Sequence, residues 1–348
     1  MKGSRQSAHG LLGFAALSLS ACVGSPDGGE SDAGSFNVEQ VKKELLPLTF
    51  ERGRSHPAAA IRYFKYYGLD IAGAEHGFGT FSSGGYVLAA HVFTPPESKG
   101  TVVVLHGYYD HAGILRHLIR SLVEAGYTVA TYDHPGHGLS TGERASIEDF
   151  SEYVSVLEDF LKLCRTRLRG PFHLVAHSMG CGVATDHLLN AGRTSVEKIV
   201  FLAPLIRSAA WDLAGWGRAL VGDRVDSVPR KFRKNCSDKA FLKFVKDDPL
   251  QTDRVPMKWV KALRAWNDRV VKYEPSGMSL RIIQGASDTT VDDEYNLALL
   301  RKKFNNPEVV MIKKGGHQLM NEPPPIRSDV LEHVTAYLGS KPDEEAGR

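Results

Sequence analysis

Between Thr101 and Leu338 one pattern repeats: a short run of β-branched and other apolar residues, then a segment whose apolar residues return at helical spacing. The runs are 101–105, 127–132, 172–176, 198–202, 280–283 and 308–312, and helices are expected over roughly 113–125, 147–168, 179–190, 292–304 and 326–338. The runs are continuously apolar rather than alternating, so both faces of each must be covered. That requires a mostly parallel sheet with helices on both faces, an α/β class. Ahead of it, Gly79-Thr80-Phe81 and the run from Tyr86 to Phe93 flank Ser82-Ser83-Gly84-Gly85, the signature of a hairpin. At 348 residues and 42% apolar, the chain can bury one large core plus an insertion, or two modest domains.

One strand-to-helix junction carries chemistry. Val175-Ala176-His177-Ser178-Met179-Gly180 leaves an apolar run and enters a helical one, so Ser178 is held on a tight turn. Small residues two before and two after it, Ala176 and Gly180, leave room for the neighbouring backbone. A hydroxyl needs a base to become a nucleophile, and the base needs a carboxylate to orient it. The order expected for such a sheet is serine, acid, histidine. The run at 280–283 leads into a turn ending at Asp288, and the last run delivers Gly315-Gly316-His317. Asp292 and Asp293 are rivals to Asp288, but they stand where a helix opens and carboxylates favour its dipole. The candidate catalytic residues are therefore Ser178, Asp288 and His317. After the first run comes His106-Gly107-Tyr108-Tyr109-Asp110-His111. Its glycine permits a turn that aims an amide above Ser178, so the backbone N–H groups of Tyr108 and Met179 are the expected oxyanion donors.

Other sites are set aside. His106, His111, His134 and His137 lack the Cys or carboxylate partners of a metal shell and are expected to hydrogen-bond loops around the pocket, so neither metal nor cofactor is expected. A formal charge of +3, spread along the chain, makes no case for nucleic acid. Cysteines at 22, 164, 181 and 236 show no metal spacing and imply no disulfide framework.

Residues 1–22 read as a targeting segment: Lys2 and Arg5, an apolar stretch from Leu11 to Leu19 too short to span a bilayer, then Leu19-Ser20-Ala21-Cys22. That last tetrapeptide resembles the lipobox of bacterial lipoproteins, which implies lipidation of Cys22, a membrane anchor and a place in the bacterial cell envelope. Val23 rather than Asp follows, which by the sorting rule of such lipoproteins favours the outer membrane over the inner. Residues 23–77 read as a tether and a helical extension, with Asn37 capping one short helix and Ala58 to Tyr67 forming a second, both taken as packing.

The core is expected over 78–205 and 277–340, interrupted at 206–276 by a helical cap. There Trp259, Leu263, Trp266 and Val270 make one apolar helix face, Leu213, Trp216 and Leu220 a second, and Phe241, Phe244 and Val245 a third. Arg230-Lys231-Phe232-Arg233-Lys234 reads as a solvated charged turn.

From about Phe78 to Leu338 the chain resembles the monoacylglycerol lipase and lysophospholipase group of α/β-hydrolases. The matching residues are His106-Gly107-x-x-Asp110-His111, Asp133-His134-x-Gly136-His137-Gly138-x-Ser140-x-Gly142-Glu143-Arg144, His177-Ser178-Met179-Gly180, Asp288-x-x-Val291, and Gly316-His317 followed by Asn321-Glu322. Gln318 stands where that group often has Glu. The resemblance implies an α/β-hydrolase fold with a mobile cap and a serine esterase acting on a lipid ester. Alternatives are a short-chain esterase, lactonase or aminopeptidase on the same sheet, or an inactive, envelope-anchored binding protein.

Overall fold

The structure is a computed structural model, and it describes residues 35–190, 194–209, 211 and 225–340. Its centre is an eight-stranded sheet: β1 (Glu75–Ser83), β2 (Tyr86–Thr94), β3 (Thr101–Leu105), β4 (Thr128–Tyr132), β5 (Phe172–His177), β6 (Val196–Leu202), β9 (Arg281–Gly285) and β10 (Glu308–Ile312). The spatial order is β1-β2-β4-β3-β5-β6-β9-β10. Strands β1 and β2 form the expected hairpin and β2 runs antiparallel to β4, while every pairing from β4 to β10 is parallel.

Successive residues of one strand feed opposite cores, which is why the runs carry no alternation. In β3, Val103 and Leu105 join one core and Val102 and Val104 the other, and β6 divides Ile199 and Phe201 from Val200 and Leu202 in the same way. The first core is closed by α4 (Ser151–Arg167), α5 (Met179–Asn190), α7 (Met257–Val270) and α8 (Asp293–Lys303). The second is closed by α1 (Val38–Glu44), α2 (Ala58–Tyr67), α3 (Arg116–Glu124) and α9 (Pro324–Gly339). Trp266 of α7 is fully buried and stacks on Phe150 at 4.5 Å, so trimming it to Ala would cost roughly 3–5 kcal/mol.

The departures from expectation have local causes. Helix α4 starts at Ser151 rather than 147, because Asp149 accepts from Ser151 N at 2.9 Å and its own amide donates to Glu152 at 2.9 Å, a reciprocal cap. Helix α3 starts at Arg116, because the residues before it, Ala112–Leu115, wind as a tighter 3-10 turn. The sheet begins at Glu75, ahead of the expected Phe78; Gly77 and Gly79 hide the strand pattern, yet a Cβ on Gly79 would sit 2.5 Å from Leu46 O. Residues 46–48 bridge to β1 there, with Thr80 N donating to Leu46 O and Leu48 N to Thr80 O.

The segment after β6 holds α6 (Lys239–Asp247), α7 and a small ribbon of β7 (Ser227–Pro229) on β8 (Arg254–Pro256), three-residue strands too short for periodicity to reveal. Trp259, Leu263, Trp266 and Val270 are all buried on α7, as their spacing requires. Leu213, Trp216, Leu220 and Cys22 lie outside the described residues. No described helix is long and apolar enough to cross a membrane.

Candidate active site

Ser178 sits between β5 and α5 with φ 51°, a left-handed conformation that costs a non-glycine residue about 1–2 kcal/mol. Backbone bonds hold it there: Ser178 N donates to Leu202 O at 3.0 Å, and Ser178 O accepts from Cys181 N at 3.0 Å and Leu205 N at 3.1 Å. A Cβ at Gly180 would lie 2.8 Å from His106 O, so the turn needs glycine there.

The imidazole of His317, on the loop after β10, lies between the other two candidates. Its Nε2 is 2.9 Å from Ser178 Oγ, and its Nδ1–H donates to Asp288 Oδ2 at 2.8 Å. Asp288 also accepts from Thr290 N at 2.7 Å and Gln284 Nε2 at 3.2 Å. Burial pushes the Asp288 carboxyl up, but His317 and these donors outweigh it and hold it below the ordinary value, which keeps it ionised. Asp292 instead caps α8 by accepting from Tyr295 N at 3.1 Å, and Asp293 opens that helix.

The loop after β3 lies directly against the serine. A Cβ at Gly107 would fall 2.8 Å from His177 Nδ1 and 3.1 Å from Ser178 Cβ. The Tyr108 amide follows, and among the described residues it donates no hydrogen bond. Met179 is the first residue of α5, so its N–H has no carbonyl one turn back within the helix. The Tyr108 ring lies face-on to Trp259 of α7 at 3.5 Å, and its hydroxyl donates to Ala145 O at 2.7 Å. Tyr109 has φ 70°, with the Arg230 guanidinium 3.8 Å above its ring and Gln251 Nε2 donating to its carbonyl at 2.9 Å. Arg230 is thus no solvated turn residue, although its neighbours Lys231, Arg233 and Lys234 are exposed.

The loop histidines bond neighbouring loops. His106 Nδ1–H donates to Gly107 O at 2.8 Å, His106 Nε2 accepts from His134 N at 2.9 Å, and His137 Nδ1–H donates to Pro135 O at 2.9 Å. Among the described residues no group of three or more His, Cys, Asp or Glu is arranged to hold a metal ion. Cys164, Cys181 and Cys236 are buried thiols.

Several functional contacts escaped the sequence reading. Asp110 accepts from His177 Nδ1 at 3.2 Å and from Gln318 Nε2 at 3.1 Å, so one carboxylate holds the residues beside both Ser178 and His317. Glu322 accepts from Gly316 N at 2.7 Å and from Ser237 N at 2.9 Å, which ties the His317 loop to the segment entering α6. Asn235 O accepts from His317 N at 2.9 Å. The matched motifs contain Asp110 and Glu322, but their partners are distant in the chain and have no local signature. With Ser178 5% and His317 4% exposed, the site is covered.

Comparison with known proteins agrees with this architecture. The family described as serine aminopeptidase, S33, matches residues 96–324. A monoacylglycerol lipase of Mycolicibacterium smegmatis is 37% identical over 115 residues, 32% of this chain and 39% of that protein. Phospholipase YtpA of Bacillus subtilis is 24% identical over 68% of this chain and 93% of its own length, and human monoglyceride lipase is 24% identical over 75% and 89%. Among solved structures, a soluble variant of Saccharomyces cerevisiae monoglyceride lipase superposes with a TM-score of 0.64 at 18% identity, covering 78% of this chain and 96% of that one. The fold and the match across most of the sheet agree: this chain belongs to the serine aminopeptidase S33 family, as an α/β-hydrolase of the monoacylglycerol lipase and lysophospholipase group and a carboxylic ester hydrolase.

Proposed function

We propose that this protein hydrolyses the carboxylic ester of a single-chain lipid, a monoacylglycerol or lysophospholipid, through an acyl-enzyme on Ser178. The observation that carries the reading is the unbroken relay from Ser178 Oγ through His317 to Asp288, at 2.9 and 2.8 Å. His317 Nε2 takes the Ser178 proton as Oγ attacks the ester carbonyl, and the charge on the imidazolium is balanced by Asp288. The Tyr108 and Met179 amides receive the developing oxyanion, each contributing about 3 kcal/mol. His317 then gives its proton to the leaving alcohol. A water, activated by the same nitrogen, releases the fatty acid. These steps call on no cofactor.

The lipid substrate class is supported by the named activities of the relatives and by the aromatic wall that Tyr108 and Trp259 form beside the oxyanion loop. A series of monoacylglycerols and p-nitrophenyl esters from two to sixteen carbons tests it. The expected result is kcat/KM rising with chain length by up to roughly fourfold for each methylene that becomes buried, at about 0.8 kcal/mol each. A preference for acetate esters, or cleavage of N-terminal peptides alone, would overturn it. The tetrapeptide Leu19-Ser20-Ala21-Cys22 supports a lipid anchor at Cys22 in the bacterial cell envelope, with the outer membrane preferred. Cys22→Ala should move the protein from the membrane fraction to the soluble one, and an unchanged membrane fraction would refute the anchor.

A further inference from the structure

The segment ahead of the sheet lies outside the range matched by the family, which begins at residue 96, yet one of its side chains reaches the neighbourhood of the site. Tyr67, the last residue of α2, is fully buried, and its hydroxyl donates to Asp248 Oδ1 at 2.6 Å. The other oxygen of Asp248, just past the end of α6, accepts from His111 Nε2 at 2.8 Å. His111 accepts from Gly113 N on its other nitrogen at 3.2 Å, so the proton it shares with Asp248 sits on Nε2. The Tyr67 ring meets His111 edge-on at 4.8 Å, and a Cβ on Gly113 would come within 2.5 Å of that ring, so the seat is built for it.

Three segments remote in sequence therefore meet at one buried carboxylate, and His111 closes the same short loop that carries Gly107 and Tyr108. A buried carboxylate is held by its donors; when one is removed, the group shifts to recover solvation and takes its remaining partners with it. Here the remaining donors are Leu250 N, 2.9 Å from the oxygen that Tyr67 leaves, and, on the other oxygen, Gln251 Nε2 at 3.4 Å and His111, the one that belongs to the loop of Gly107 and Tyr108.

We propose that Tyr67 is a positioning residue for the oxyanion loop: its hydroxyl fixes Asp248, Asp248 fixes His111, and the N-terminal arm thereby sets the Tyr108 amide against Ser178. Phe36 packs edge-on to Tyr67 at 5.6 Å, so the arm is joined to this relay from its first described residues onward. The inference rests on the reading of Ser178 as nucleophile and of residues 107–108 as an oxyanion loop.

The test uses the full chain, a soluble p-nitrophenyl ester and a fluorophosphonate. Tyr67→Phe keeps the ring and removes only the hydroxyl; kcat and the rate of fluorophosphonate labelling fall by about tenfold, KM stays within about twofold, and the melting temperature falls by only a few degrees, the cost of one buried hydrogen bond. Tyr63→Phe, a buried tyrosine on the same helix whose hydroxyl faces His91 at 3.5 Å, leaves all four quantities unchanged. Asp248→Asn also lowers kcat, and the double variant with Tyr67→Phe falls by less than the product of the two, because both act through one contact. Wild-type kcat in Tyr67→Phe, equal losses in Tyr67→Phe and Tyr63→Phe, or purely multiplicative effects with Asp248→Asn would overturn the proposal. If Ser178→Ala retained turnover, the underlying reading would fall with it; if Ser178→Ala is dead and Tyr67→Phe is normal, only this proposal falls.

Discussion

The side-chain amide of Gln318 donates to both carboxylate oxygens of Asp110, at 3.1 and 3.2 Å, and so joins the residue beside His317 to the loop that lies against Ser178. Burial raises the Asp110 carboxyl, but His177 and Gln318 outweigh it and leave it below its ordinary value. Gln318→Glu would set two buried carboxyl groups face to face, and like charges that close cannot both ionise without cost. While the introduced carboxyl keeps its proton it can donate as the amide of Gln318 does; once the proton leaves, repulsion displaces the residue next to His317. The expected outcome is near-normal kcat/KM at pH 6 and a loss of about tenfold by pH 9 relative to wild type, read from parallel pH–rate profiles. Superimposable profiles would show that the contact does not position the base.

Gly107 has its α-hydrogen aimed at crowded atoms: a methyl there would stand 2.8 Å from His177 Nδ1 and 2.9 Å from Asp110 Oδ2. Gly107→Ala must move the loop that presents the Tyr108 amide. Loss of one oxyanion donor typically costs about 10²–10³ in kcat, so the variant should lose about two orders of magnitude in kcat with KM changed far less. Steady-state kinetics on a soluble ester, with circular dichroism to verify folding, decides it; a variant within about threefold of wild type would contradict the loop assignment.

Asp288 holds the imidazole in the tautomer that leaves Nε2 free to accept from Ser178. Asp288→Asn keeps the shape but can present an N–H to Nδ1, favouring the wrong tautomer. The expected loss in kcat is about 10³–10⁴, with the fold kept because the remaining amide oxygen still accepts from Thr290 N. Activity within about tenfold of wild type would point to another carboxylate, Asp292 or Asp293, as the orienting group.

Much of this site was legible in the sequence alone. Ser178, Asp288 and His317 stand at the ends of three apolar runs, and strand ends on one edge of a parallel sheet necessarily lie close together. Glycines and small residues around them marked the turns. The contacts of Tyr67, Arg230, Asp248 and Gln251 were not legible, because each joins residues many positions apart and depends on how the segment over the strand ends is seated. The helices at 38–44 and 58–67 were recognisable as helices, yet the reach of the second toward the site goes with the packing of Tyr63 on Phe78 of β1 and His91 of β2, which no local period encodes.

Acid stability should be governed by histidines rather than carboxylates. Burial lowers His91 to about 3, His137 to about 4 and His173 to about 4, so the folded chain keeps these rings neutral. The unfolded chain protonates them near pH 6.5, so between that pH and about 4 it binds more protons and stability falls as pH falls. Each buried ring contributes up to about 1.4 kcal/mol per pH unit. His111 acts in the opposite sense: burial lowers it, but the Asp248 carboxylate outweighs that and raises it, so its contribution is full at low pH and lost as pH rises. The balance favours the lowered group. Melting temperature should drop by about 5–10 °C from pH 7 to pH 5, before most carboxylates protonate; a flat profile over that interval would refute the burial of neutral rings.

The most direct measurement is mass spectrometry of the protein after a fluorophosphonate, paired with turnover of a monoacylglycerol. One adduct should appear, on the peptide containing Ser178, and Ser178→Ala should lose both the adduct and turnover by at least about 10³-fold while melting at the wild-type temperature. An adduct on a different residue, or a Ser178→Ala protein that still releases fatty acid at the wild-type rate, would contradict the account at its centre.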